Sequence, residues 1–127
     1  MIKGLLIVLM LAGTVQGVEL TDTEKFMLDN VNKSRVAAGL PALVIDKDLQ
    51  IATRQHACWM ATNRVMRHAP GWMENIAMGQ RTCASVHTTW MNSSGHRAAI
   101  LRRGVQTVGV SAYVTAGGTI YWCLRVR

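Results

Sequence analysis

The chain has 127 residues, 50% of them hydrophobic, with a formal charge of +7 and three cysteines. That length suits one small domain with a single core, and three cysteines are too few for a disulfide scaffold. Charge is unevenly placed: six of the seven acids precede residue 49, and the nine cationic residues after Asp48 are all arginine. No nucleic-acid-binding motif accompanies this basic half, so nucleic acid is not expected as a partner. An anionic envelope surface (phospholipid head groups, lipopolysaccharide or wall polymers) fits it, as does a generic solvated basic face.

The N-terminus reads as a secretory signal peptide over residues 1–17. "MIK" is a short positive start, "GLLIVLMLA" an apolar run, and "GTVQG" a small-residue exit with Val15 and Gly17 at −3 and −1. The apolar run is well short of the roughly 20 residues that span a bilayer. Residues 18–127 then form the exported domain, secreted or periplasmic. In that compartment three cysteines suggest one disulfide and one free thiol. Cys83–Cys123 is the favoured pair, because Cys58 lies beside Ala57 and Trp59 in a helix where a small buried thiol packs well.

"TDTEKFMLDNVNKSRVAAGLP" opens with a capping box, Thr21 to Glu24, and predicts a helix with Phe26, Leu28, Val31 and Val36 on its apolar side. Gly39 and Pro41 stop it. "ALVI" is a brief extended segment. Asp46 or Asp48 then caps a second helix running to about Val65, with Leu49, Ala52, His56 and Met60 at helical spacing. Pro70 and Gly71 break the pattern into a loop that leads to an extended "ENIAM". A third helix is expected at about residues 84–92 and a further turn, "HRAAIL", after Ser94. The end reads as a hairpin, "VQTVGVSAYV" and "TIYWCLRV" about a "TAGG" turn. Helices with a small, mainly antiparallel sheet indicate a layered α+β domain.

Four histidines divide into two kinds. His56 sits within a helical pattern, where a packed imidazole donating to a backbone carbonyl is the ordinary arrangement, and His87 follows Val86 as an exposed candidate. His68 and His96 stand at breaks in helical pattern, beside Pro70 and Gly95, where irregular backbone tends to carry function. Glu74 is the only acid after Asp48 and lies in an apolar segment. Two imidazoles and a carboxylate suit a divalent metal such as zinc, with His68 and His96 as ligands, and equally a general base with an orienting partner. The structural alternative pairs Glu74 with an arginine or a helix N-terminus. "NSSGH" lacks the GxSxG elbow of a serine hydrolase.

The ordered set "NKSRVAAGLPALVIDKDLQIATRQHACWMA", "HAPGWMENIAMG", "TTWMNSSGHRAAIL", "VGVSAYV" and "YWC" resembles the CAP superfamily, above all its short bacterial SCP-like branch. The superfamily groups cysteine-rich secretory proteins, venom antigens and plant pathogenesis-related proteins. The resemblance implies an α–β–α sandwich with helices on both sides of an antiparallel sheet. It also implies a central cleft lined by a tetrad of two histidines and two glutamates, which in some members binds zinc or another divalent ion. His68, Glu74 and His96 match three of the four. Ser93 stands where plant and animal members carry the second glutamate, so any metal site here is weakened. Ala99 replaces the asparagine usual in "GHRANIL", and the cysteine of plant members that pairs across strands falls near Val110.

Function in that family spans sterol or lipid binding, channel block, defence and some protease activity, so the fold alone does not name a reaction. The favoured expectation is a non-catalytic extracellular module that binds a lipid, sterol-like or other apolar or anionic ligand through the His/Glu-lined cleft. The alternatives are a metal-assisted, peptidase-like hydrolase at the envelope and a protein- or wall-binding module with a vestigial cleft.

Overall fold

Thr21 starts the first helix, α1 (Asp22–Ala37), as its sequence predicts. The Glu24 amide donates to the Thr21 hydroxyl and the Thr21 amide donates to the Glu24 carboxylate, so two otherwise unpaired amides are satisfied. Gly39, at φ 78°, ends the helix; its amide bonds the Val36 carbonyl and that of Leu40 reaches back to Arg35. The computed structural model describes residues 14, 15 and 17–127. Thr14–Val15 (β1) and Val18–Glu19 (β2) form a small antiparallel ladder. The positive start and apolar run of the expected signal peptide lie outside the described residues. Among the described residues no helix is long and apolar enough to cross a membrane.

The buried face of α1 differs from the expected one. Phe26 and Val36 are exposed, and the inward stripe is Glu24, Met27, Val31 and Arg35. Two of these four are charged, which conceals the stripe in an apolar pattern. Each charge is compensated: Arg54 pairs with Glu24 at 2.6 Å, and Arg35 donates to the carbonyls of Pro41, Ile100 and Arg102. Buried charge persists on those terms.

The remaining elements are β3 (Val44–Ile45), α2 (Lys47–Asn63), β4 (Met73–Met78), α3 (Cys83–Met91), α4 (Ser94–Ile100), β5 (Thr107–Val114) and β6 (Ile120–Val126). Asp46 caps α2 through the amides of Asp48 and Leu49, and Thr82 caps α3 through Ser85. The sheet order is β3-β5-β6-β4, antiparallel except for the short parallel β3–β5 pair. Alternation along the hairpin turns Val108, Val110, Trp122, Leu124 and Val126 toward α1, α3 and α4, while Tyr121 and Cys123 meet Ala57, Met60 and Ala61 of α2. The result is the expected α–β–α sandwich, with α2 alone on one face. Val114 is exposed at the hairpin's end.

Helix α2 lies very close to the sheet. A Cβ at Gly109 would stand 2.6 Å from the Leu49 carbonyl oxygen, so only glycine fits there. Beyond the two residues of β3, the Gln50 side chain takes over the role of a neighbouring strand. Its amide donates to the Val110 carbonyl at 2.6 Å and accepts from the Val110 amide at 2.8 Å, leaving no backbone group unpaired there.

Three expectations about particular residues are corrected. The Cys83–Cys123 disulfide is not formed, and all three cysteines are free. Cys123 is buried on the α2 face of the sheet while Cys83 packs at the start of α3 on the other, so the sheet separates them. Cys58 is half-buried and near Thr62 on the outer side of α2, not packed in the core. His87 is half-buried rather than exposed: its Nε2 lies 2.7 Å from the Ser34 hydroxyl, tying α3 to α1. Burial holds its pKa below the usual imidazole value.

Candidate functional site

Arg64, at φ 53°, ends α2 in a left-handed turn and sends the chain into the loop that becomes β4. Glu74 is the second residue of that strand. Strand alternation aims it at the α2 face, and the register sets it directly opposite Arg125 of β6. The Arg125 Nε donates to Glu74 Oε2 at 2.7 Å, and both side chains are essentially removed from solvent. The Trp72 ring covers the guanidinium, 4.5 Å from its carbon to the ring centroid, a favourable place for a cation.

The second oxygen of Glu74 is occupied as well. His68 Nδ1–H donates to Oε1 at 3.0 Å and the Ala69 amide donates at 3.2 Å. This fixes the His68 tautomer with its Nε2 free, and the ring is 59% exposed. His56 Nε2 lies 3.8 Å from Oε1 but donates to the Arg67 carbonyl at 2.7 Å, the packed arrangement expected of it. Its ring stacks on Trp59 at 5.7 Å and 10°, and the Arg67 guanidinium lies 5.9 Å from the Trp59 ring. The Cys123 sulfur is 3.8 Å from Glu74 Oε2. Burial, then the Glu74 charge, pushes its thiol far up and leaves it an inert neutral group.

Of the residues singled out in the sequence, His68 and Glu74 are in direct contact. His96 does not hydrogen-bond Glu74. The Asn75 side chain holds its backbone carbonyl at 2.8 Å, and its own Nδ1 is buried with no hydrogen-bond partner. Burial lowers the His96 pKa first, and the nearby His68 charge lowers it further. Ser93 precedes α4 and its hydroxyl makes no capping bond. Among the described residues no three His, Cys, Asp or Glu side chains gather as a metal-binding group. Sequence reasoning missed Arg125 and Trp72. The signal for Arg125 was its place opposite Glu74, visible only once the register of β4 on β6 is known.

Two grooves flank this cluster and share Trp59 as a wall. The larger, about 630 Å³, is lined by Trp59, Tyr113, Ala112 and Cys58, with Gln55, Asn63 and the Glu24–Arg54 pair. The smaller, about 390 Å³, lies among His56, Trp59, Arg67, His68, Ala69 and Pro70.

The model of the cysteine-rich secretory protein family, CAP, matches residues 28–125. YkwD of Bacillus subtilis (strain 168) is 33% identical over a 112-residue alignment covering 74% of this chain and 43% of that protein. The chain therefore spans less than half the length of that relative. An outer surface protein of Borrelia burgdorferi superposes with a TM-score of 0.74 at 19% identity, covering 84% of this chain and 94% of that one. An extracellular SCP-domain protein of Bacillus anthracis superposes at 0.71 and 23% identity, covering 87% and 45%.

The Glu74–Arg125 pair generates a stability prediction. Arg125→Leu leaves a buried carboxylate without its cation and should cost about 3–5 kcal/mol in urea denaturation. Adding Glu74→Gln to Arg125→Leu should recover part of that loss. Strict additivity of the two single losses would show that the pair is not coupled.

Proposed function

The chain belongs to the cysteine-rich secretory protein (CAP) family, and on that footing we propose that it acts outside the cytoplasm as a non-catalytic module binding an amphiphile. The extracellular and outer-surface descriptions of two structural neighbours support the location. The observation that carries the binding role is the occupancy of Glu74. Both its oxygens already accept from Arg125, His68 and Ala69, and the side chain has no exposure to solvent, so the carboxylate is poorly placed to take a proton from a substrate. What remains accessible is a recognition surface: two grooves that share Trp59 as a wall, the larger beside Tyr113 and the smaller beside Arg67 and His68. An apolar chain fits the larger groove and an anionic head the smaller, where the Arg67 guanidinium supplies donors.

Dansyl-aminoundecanoate, an anionic acyl probe, should bind saturably with an emission blue shift. Trp59→Ala should weaken it about tenfold, equivalent to about 1.4 kcal/mol. Arg67→Gln should weaken the carboxylate probe but not its methyl ester. Non-saturable binding, or a Trp59→Ala variant equal to wild type, would contradict the proposal.

A second reading rests on His96. Its buried, unpartnered Nδ1 beside His68, whose Nδ1–H is held by Glu74, is the donor arrangement of a two-imidazole site for zinc or another divalent cation. With no second glutamate, such an ion would be held weakly and keep open positions. Calorimetric titration with zinc should show binding that the His68→Ala/His96→Ala variant loses and His87→Ala retains. Unchanged binding in the double variant would rule this site out.

A further inference from the structure

The loop between α2 and β4 has an unusual surface for a connection. Met66 and Trp72 are 49% and 39% exposed, and Trp59 on the last turns of α2 is 41% exposed. Large apolar side chains gathered at one place on a surface call for a partner. The two tryptophans are joined through contacts already described: Trp59 stacks on His56, His56 and His68 border Glu74, and Arg125 joins Glu74 to Trp72. Met66 directly precedes Arg67, whose guanidinium lies against Trp59.

Charge identifies the partner. Residues 64–73 include two arginines and a histidine but no acid, and the nearest carboxylate, Glu74, is wholly buried and compensated. Helix α2 keeps Asp46 and Asp48 at its other end, about 20 Å away at 1.5 Å per residue. Tryptophan and methionine beside arginine, without exposed acid, match the interfacial zone of a bilayer. There the rings sit at head-group depth and the guanidinium meets phosphate. A protein partner of ordinary composition has no comparable claim on a uniformly cationic rim.

We infer that the loop at residues 64–72, with Trp59, is a docking face for anionic lipid bilayers, seated by Trp72 and Met66 and held by Arg67. This inference rests on the extracellular reading but not on an occupied groove. The docking face sets the mouth of the smaller groove, at Arg67 and His68, beside the lipid head groups.

Co-sedimentation of the exported protein with vesicles tests it. Vesicles of phosphatidylcholine containing about one third phosphatidylglycerol should bind about tenfold more protein than pure phosphatidylcholine, with the excess lost at high salt. Met66→Ser touches no hydrogen bond or ion pair described above and should reduce anionic binding about fivefold at unchanged thermal stability. Arg67→Gln should flatten the salt dependence. The Met66→Ser variant should still bind dansyl-aminoundecanoate at wild-type affinity, and that probe can fail without altering the vesicle result. Equal binding to both vesicle types, or wild-type partitioning of Met66→Ser, would overturn the inference. Self-association that Met66→Ser abolishes would also overturn it, by giving the face to a second copy of the chain.

Discussion

A carboxylate sealed inside the sheet is the constraint around which this molecule is arranged. Glu74 has no access to water, and an ion in that position is stable only with a paired charge and filled hydrogen-bonding capacity. Arg125 supplies the charge from the adjacent strand, and His68 and the Ala69 amide supply the remaining donors. The loop after α2 is thereby pinned to the sheet at two consecutive residues. Trp72, on the other flank of that loop, closes over the guanidinium. Removing the carboxylate would release His68 and Ala69, which line the smaller groove.

The same arrangement divides the site into a fixed interior and an available exterior. Inside are Glu74, Arg125 and the inert Cys123 thiol, whose partners are all within the fold. Outside are the free edge of His68, the Arg67 guanidinium and the Trp59 face, none of which is buried.

Much of this was legible in the sequence, for physical reasons that can be named. The capping box at Thr21 and Glu24, the Gly39 stop and the alternation of the β5–β6 hairpin depend on neighbours close in the chain, and all three stand as read. Glu74 was recognisable because an isolated acid in an apolar strand needs a partner. The partner itself was not, because Arg125 is 51 residues away and becomes its neighbour only through the strand register. The inward face of α1 was legible only in part: Val31 and Leu28 pack inward as read, but Glu24 and Arg35 are buried through long-range partners, so an apolar stripe could not mark them. The cysteine pairing failed because arithmetic on cysteines ignores the sheet that stands between Cys83 and Cys123.

The account turns on Glu74 staying bound to Arg125 while a ligand occupies the neighbouring grooves. Nitrogen-15 NMR of the Arg125 Nε–H, with hydrogen exchange followed before and after saturation with dansyl-aminoundecanoate, tests this directly. A slowly exchanging Nε–H whose protection is unchanged by the ligand is the predicted result. Rapid exchange in the free protein, or loss of protection when the ligand binds, would show the carboxylate to be available for chemistry and contradict the account.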